Sequence, residues 1–142
     1  MAYSFLFKFM KQFIKFATVG IINTGLDLIF LNFLIWLTGI YQGGWLGLLN
    51  FIAFSLATIN SYFLNKFWTF KKRGVNFFFQ FFAISLVGCA INTSIVYFVA
   101  TFVPPFFGVS QLLWVNIAKL LAILISMCWN FIGYKFWVFR KK

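Results

Sequence analysis

One carboxylate and one lysine stand inside otherwise apolar stretches of this sequence, and no other residues in it carry chemistry so much at odds with their surroundings. Asp27 is the only acidic residue among 142, and of the twelve Lys and Arg residues only Lys119 lies outside three basic clusters. Asp27 follows the amide and hydroxyl of Asn23 and Thr24, and a second such pair stands at Asn92 and Thr93. The chain has no His and one acid, and its two cysteines, Cys89 and Cys128, lack Cys-x-x-Cys spacing. One copy therefore assembles neither a zinc site nor a carboxylate pair for hydrolysis. A non-enzymatic protein without metal or cofactor is expected, with both cysteines as small, inert core residues.

The elements that must position these groups follow from composition. A chain that is 63% hydrophobic and 9% charged, with a mean hydropathy of +0.97, cannot hide its apolar surface in one small soluble core. Four apolar stretches, about 16–37, 45–64, 77–103 and 112–134, each reach the roughly 20 residues needed to cross a hydrocarbon layer about 30 Å thick. The expected fold is an all-α membrane protein, a single transmembrane domain over residues 1–142 with four transmembrane helices.

Charge gives the orientation, because short loops rich in Lys and Arg stay on the cytoplasmic side. Lys8, Lys11 and Lys15 precede the first span, and Lys66, Lys71, Lys72 and Arg73 separate the second from the third. Lys135, Arg140, Lys141 and Lys142 follow the fourth, while loops 38–44 and 104–111 carry no charge. Both termini are expected in the cytoplasm, in a multi-pass protein of the cytoplasmic (inner) membrane. Trp36, Tyr41, Trp45 and Trp114 fall where an outer aromatic belt belongs. A net charge of +11 on clusters that all border spans points to anionic lipid headgroups and away from nucleic acid. The first span is too long for a signal peptide and has no small-x-small cleavage site, so it is expected to stay uncleaved.

The chain is written twice. Lys66-Phe67-Trp68-Thr69-Phe70-Lys71-Lys72 and Lys135-Phe136-Trp137-Val138-Phe139-Arg140-Lys141 share an ending at an offset of 69. Gln12-Phe13 and Gln80-Phe81 each lead to Val-Gly (Val19-Gly20, Val87-Gly88) and then to Asn-Thr. Repeat one covers about 12–73 and repeat two about 75–142, two spans each, so the copies cross in the same sense about a pseudo-two-fold axis along the membrane normal. Such halves often enclose a transport pathway, and duplication also simply builds a bundle from a hairpin. Gly20, Gly25, Gly88 and Ser94 read as small residues that let helices approach. The Asn-Thr pairs, with Asn60 and Asn130 near the cytoplasmic ends of spans two and four, suit either helix-to-helix hydrogen bonds or a polar pathway.

A rise of about 1.5 Å per residue places Asp27 some 18 Å, and Lys119 about 20 Å, from the cytoplasmic boundary. A lone charge near a helix centre costs some 2.5–3.5 kcal/mol on insertion scales. The expectation is that the two face each other in the interior and bound a polar cavity lined by Asn23, Thr24, Asn92 and Thr93. A static pair that only fixes helix register, and a Lys119 that snorkels outward, are the alternatives. Lys66 and Lys135 close spans two and four at the cytoplasmic face, either as ordinary anchors or as ammonium groups that hold a lipid phosphate.

Val-Gly followed by Asn-Thr and Asp27 in span one, and the run from Asn60 to Lys66-Phe67-Trp68-Thr69-Phe70 closing span two, resemble the GtrA family of small four-span membrane proteins. The resemblance runs from about Phe13 to Arg140, and Lys119, Asn130, Lys135, Trp137 and Phe139 fit it. It implies a role in cell-surface polysaccharide synthesis or glycosylation, as a flippase that carries a polyprenyl-phosphate-linked sugar across the membrane, often beside a membrane glycosyltransferase. One departure is that the second half has Ile95 or Val96 where the first has Asp27.

On this reading Lys66 and Lys135 capture the phosphate, Asn23, Thr24, Asn60, Asn92, Thr93 and Asn130 hydrogen-bond the sugar, and Asp27 with Lys119 forms the outer gate. No Gly-x-x-x-x-Gly-Lys-Ser/Thr loop is present to bind ATP. The oligomeric state is left open by the sequence: four helices make a narrow bundle, and a homodimer is one way to widen the groove for a sugar. Two rivals stand beside it. One is a proton-coupled exporter of small cations resembling small multidrug resistance transporters, against which Lys119 argues. The other is a non-transporting accessory subunit of a membrane glycosyltransferase.

Overall fold

The computed structural model describes residues 2–69, 71 and 75–138. Four helices cross in alternation: α1 (Ala2–Thr38), α2 (Gly43–Leu64), α3 (Val75–Phe102) and α4 (Gln111–Gly133). All four are long and apolar enough to span a membrane, and at most about a third of each is buried. The remainder, including Ile21, Ile29, Phe51, Phe98 and Leu124, is exposed around the outside of the bundle, where acyl chains replace water as the solvent. The chain is a multi-pass membrane protein.

The helix ends follow local chemistry. Gly39, at φ 68°, ends α1 in the left-handed conformation that a Cβ disfavours, with its N–H donating to Ile35 O at 2.7 Å. Pro104 and Pro105 follow α3, where the lack of an N–H forbids another turn. The Ser110 hydroxyl caps α4 by accepting from Leu113 N at 3.3 Å. Lys8, Lys11 and Lys15 in the first turns of α1, Lys66 after α2 and Lys71 before α3 share one end of the bundle, the basic end; both interhelical loops at the other end carry no charge.

Two expectations need correction, and one helix is longer than its span. Span one is expected over 16–37, and α1 runs on from it back to Ala2, because residues 2–15 contain neither Gly nor Pro to interrupt it. At 37 residues it is roughly 55 Å long, well beyond a 30 Å core. Trp114 does not join an interfacial belt with exposed Trp36 and Trp45: it is 8% exposed, and its indole N–H donates to Val103 O at 2.9 Å, tying α4 to the preceding loop. Cys89 is buried, but Cys128 lies on the outer surface instead of in the core.

The core is divided along the membrane normal. Toward the charge-free end, Leu31, Ile35, Leu46, Leu49, Val96, Ala100 and Val115 form one apolar cluster. Toward the basic end, aromatic rings close the bundle: Phe16 packs on Tyr134 with centroids 5.6 Å apart, and Phe81 stacks on Tyr134 at 5.3 Å. Both closing sequences take the same rare form, a π-helical turn, at Asn65–Thr69 and Tyr134–Val138. Such turns often mark functional sites.

α3 and α4 pack through small residues. A Cβ on Gly88 would lie 2.6 Å from Asn130 Oδ1, and one on Gly133 would lie 2.9 Å from Ile84 Cγ2. Gly20 and Gly47 sit in ordinary contact with Met127 and Thr93. Gly25 has nothing within 4 Å of where its Cβ would be, so close approach does not explain it.

Candidate functional site

Each helix turns a stripe of small and polar residues inward at the three-to-four spacing of one helical face. On α1 the stripe is Gly20, Asn23 or Thr24, Asp27 and Leu31; on α2 it is Asn50, Ala53, Ala57, Ser61 and Asn65. On α3 it is Ser85, Gly88 or Cys89, Asn92 and Val96; on α4 it is Lys119, Ala122 or Ile123, Ser126 and Asn130. The stripes meet at one level.

Lys119 stands at that meeting point, fully buried. Its ammonium donates to Asp27 Oδ2 at 2.7 Å, Asn50 Oδ1 at 2.7 Å and Asn92 Oδ1 at 3.0 Å. Three donors thus meet three acceptors, one from each of the other helices, which is what a charge needs where water cannot reach it. Asn50 Nδ2 donates on to Asn92 Oδ1 at 3.1 Å and Thr93 Oγ1 at 3.0 Å, and Asn92 Nδ2 donates to Ser126 Oγ at 3.3 Å. Phe54 lies under the ammonium, 5.7 Å from its ring centroid.

On the basic side of this knot lies a cavity of about 110 Å³. Asp27, Phe54 and Ile123 form its inner end, and Phe16, Asn65 and Tyr134 line it near the basic end. Asn23, Thr24, Thr58, Ser61, Ser85, Ser126 and Asn130 supply the polar wall between them. Asp27 is 4% exposed; one of its oxygens is held by Lys119, and the other, Oδ1, has no hydrogen-bond partner among the described residues.

The residues singled out from sequence are distributed unevenly around this cavity. Asp27, Asn23, Thr24 and Asn130 line it. Asn60 stands behind the wall and donates to Asn23 Oδ1 at 3.0 Å, linking α2 to α1. Asn92, Thr93 and Lys119 do not line it, contrary to expectation: Lys119 needs acceptors from α2 and α3 as well as the carboxylate, so Asn92 is drawn into the ion pair's support and Thr93 into that of Asn50. Lys66 also stands aside, half-buried, its ammonium 5.3 Å from the Tyr62 ring centroid and 5.5 Å from that of Phe67. The Lys135 side chain, like Lys72, Arg73, Arg140, Lys141 and Lys142, lies outside the described residues.

Sequence reasoning missed Asn50, although a signal was there: it stands 69 positions before Lys119, the offset that relates the two closing motifs. It also missed Asn32 and Asn116, whose amides donate to each other at 2.7 and 2.9 Å across the α1–α4 seam.

A family model described as GtrA/DPMS, transmembrane domain, matches residues 15–139. The chain matches no curated protein and no solved structure.

Proposed function

The chain belongs to the GtrA/DPMS transmembrane-domain family, and from that premise, which ties it to glycosyl-lipid-related work in a membrane, we propose that it flips a polyprenyl-phosphate-linked sugar across the cytoplasmic membrane. Members of this family are generally non-catalytic membrane proteins, and here too the work is movement. The observation that carries the reading is the one-sided cavity: a polar hollow on the basic side of a buried ion pair, with a filled apolar core on the other side.

The physical problem of flipping is the headgroup. The tail is at home in lipid, while each unsatisfied polar group dragged through hydrocarbon costs several kcal/mol. A recess of amides and hydroxyls supplies those hydrogen bonds while the tail stays outside. In the proposed cycle the basic end faces the cytoplasm, as its lysines favour. Lys66 leaves the faces of Tyr62 and Phe67 to meet the phosphate, together with Lys135, and Asn23, Thr24 and Asn130 hydrogen-bond the sugar. Asn92, Thr93 and Asn60 act from behind, by fixing Lys119, Asn50 and Asn23. Asp27 with Lys119 is the outer gate. The matching π-turns, placed 69 residues apart, support the duplicated architecture in which transporters place a pathway.

The ion pair weighs against a cation exporter, whose carboxylate must be free to exchange a proton for its drug; at 2.7 Å Lys119 already occupies it. The decisive experiment is reconstitution of the purified chain into liposomes with a lipid-linked sugar. Faster equilibration of headgroup exposure than in protein-free vesicles supports the proposal. Activity that depends on adding a membrane glycosyltransferase supports the accessory-subunit reading instead. A concentration dependence that tracks dimer formation would add the second copy.

A further inference from the structure

Resting on that reading, we propose that the lipid enters the cavity sideways, through the seam between α1 and α4, and that Met127 is the side chain that opens and closes the slot. A headgroup in the cavity and a tail in the bilayer are covalently joined, so one pair of helices must let that link pass between them. What stands in each seam decides which pair.

The other three seams are tied beside the cavity. α1 is bound to α2 where Asn60 donates to Asn23 Oδ1 at 3.0 Å. α2 is bound to α3 by Asn50, which donates to Asn92 and Thr93, and nearer the basic end by Tyr62, whose ring lies 5.4 Å from that of Phe81. α3 and α4 approach so closely that Asn130 and Ile84 leave no room for a Cβ on Gly88 or Gly133, and the Trp129 indole donates to Ile84 O at 3.1 Å.

α1 and α4 are tied above and below the cavity instead. The Asp27–Lys119 ion pair stands on the inner side, and the rings of Phe16 and Phe131, 6.3 Å apart, stand toward the basic end. Between these ties α1 presents the small residues Ala17, Gly20 and Thr24, and Thr24 spends its hydroxyl on Gly20 O of its own helix at 2.9 Å. Met127 reaches over from α4, its Sδ 3.7 Å from where a Cβ on Gly20 would lie.

Met127 belongs to the cavity wall and to the outer surface at once. It lines the cavity yet is 42% exposed, and among the described residues the other lining side chains are all buried or half-buried. Leu124, one turn away on α4, and Ile21, beside Gly20 on α1, are exposed too, an apolar flank for an isoprenoid tail. A methionine is unbranched with three rotatable bonds, so Met127 can swing off Gly20 without any movement of the helices. The axial route offers no such element: Phe81 stacks on Tyr134 across the basic end, with Phe16 edge-on against it.

The test uses the full chain in nanodiscs and a polyprenyl-phosphate-linked hexose that carries a diazirine on the isoprene unit nearest the phosphate. Irradiation should place adducts on α1 and α4 around Gly20 and Met127, and the unlabelled lipid should compete them away. Adducts centred on another seam, or adducts that the unlabelled lipid does not displace, overturn the proposal. The time course of adduct formation after mixing then tests the gate. Met127→Ala should load faster, and Met127→Phe about tenfold more slowly, with release slowed by the same factor, because a gate acts on entry and exit alike. Gly20→Leu, which fills the slot from α1, should slow loading in the same way. Equal loading rates in all four chains overturn the gate, as does a Met127→Phe effect confined to release. If competed adducts form in this seam while the liposome assay shows no flipping, the portal stands and the translocation reading falls. If flipping proceeds while the adducts lie elsewhere, translocation stands and the portal falls.

Discussion

At the level of Asp27 and Lys119 the bundle changes character. On the basic side the inward stripes carry Gly20, Thr24, Ala57, Thr58, Ser61 and Ser126, side chains too small to meet across the axis, and a cavity remains. On the other side the same four helices bring Leu31, Ile35, Leu46, Leu49, Val96 and Val115 together, and the space is filled. The two halves differ in side-chain volume and polarity. Passage through the filled half would require the helices to part, because apolar side chains leave no room along its axis; beyond the ion pair the Asn32–Asn116 pair lies in the α1–α4 seam. A hollow in one half and a packed core in the other is the asymmetry that alternating access starts from.

The border is the most sensitive place in this comparison. Asp27→Leu leaves Lys119 buried with amides alone, and Lys119→Leu leaves an unpaired carboxylate; each should lower the unfolding free energy by about 3–5 kcal/mol. Replacing both together should restore most of that loss while flipping stays abolished. Denaturation of the single and double variants in bicelles checks the first part, and the liposome assay checks the second. A double variant as unstable as the sum of the singles would mean that the two charges are not coupled.

Added bulk should then separate the halves. Ala100 is buried in the filled half, so Ala100→Leu should destabilise by about 1–3 kcal/mol through overpacking. Thr58 lines the cavity, and Thr58→Leu should leave stability within about 0.5 kcal/mol while reducing flipping more than tenfold. Thermal unfolding and vesicle transport, measured on both, sharpen the contrast; if Thr58→Leu were the more damaging to stability, the cavity would not be open space.

The smallest expected effect lies in the α1–α4 seam. Asn32→Ala removes one half of a reciprocal amide pair and should cost about 0.6 kcal/mol, the average for hydrogen bonds between membrane helices, and no more than about 1.7 kcal/mol. An unchanged unfolding midpoint would show that α1 and α4 are held by the border and the aromatic closure alone.

Much of this architecture can be read in the sequence, for a physical reason. In a bilayer only closed backbone structures survive, so hydropathy alone places four helices. Two opposite charges at equal depth have a strong reason to meet, and Asp27 and Lys119 do meet. What escaped were the choices that long or branched side chains make once inside. Lys119 can swing among several acceptors, and its taking Asn50 and Asn92 moved Asn92 and Thr93 off the cavity wall. Trp114 turned inward, where its N–H donates to the carbonyl of Val103 just past the end of α3. The extension of α1 before residue 16 was not legible, because hydropathy marks where lipid begins, and a helix without Gly or Pro has no cause to stop there. Asn50 alone was within reach, since applying the repeat offset to Lys119 leads to it.

Side-specific accessibility tests the one-sided cavity most directly. In sealed vesicles, with Cys89→Ala and Cys128→Ala as background, Thr24→Cys and Leu46→Cys are each exposed to a membrane-impermeant maleimide applied from one face at a time. The account predicts that Thr24→Cys reacts only from the face bearing the termini, that Leu46→Cys reacts from neither, and that a lipid-linked sugar makes Leu46→Cys reactive from the opposite face. Reaction of Thr24→Cys from that opposite face, or a Leu46→Cys that stays unreactive while the sugar lipid is being flipped, would contradict it.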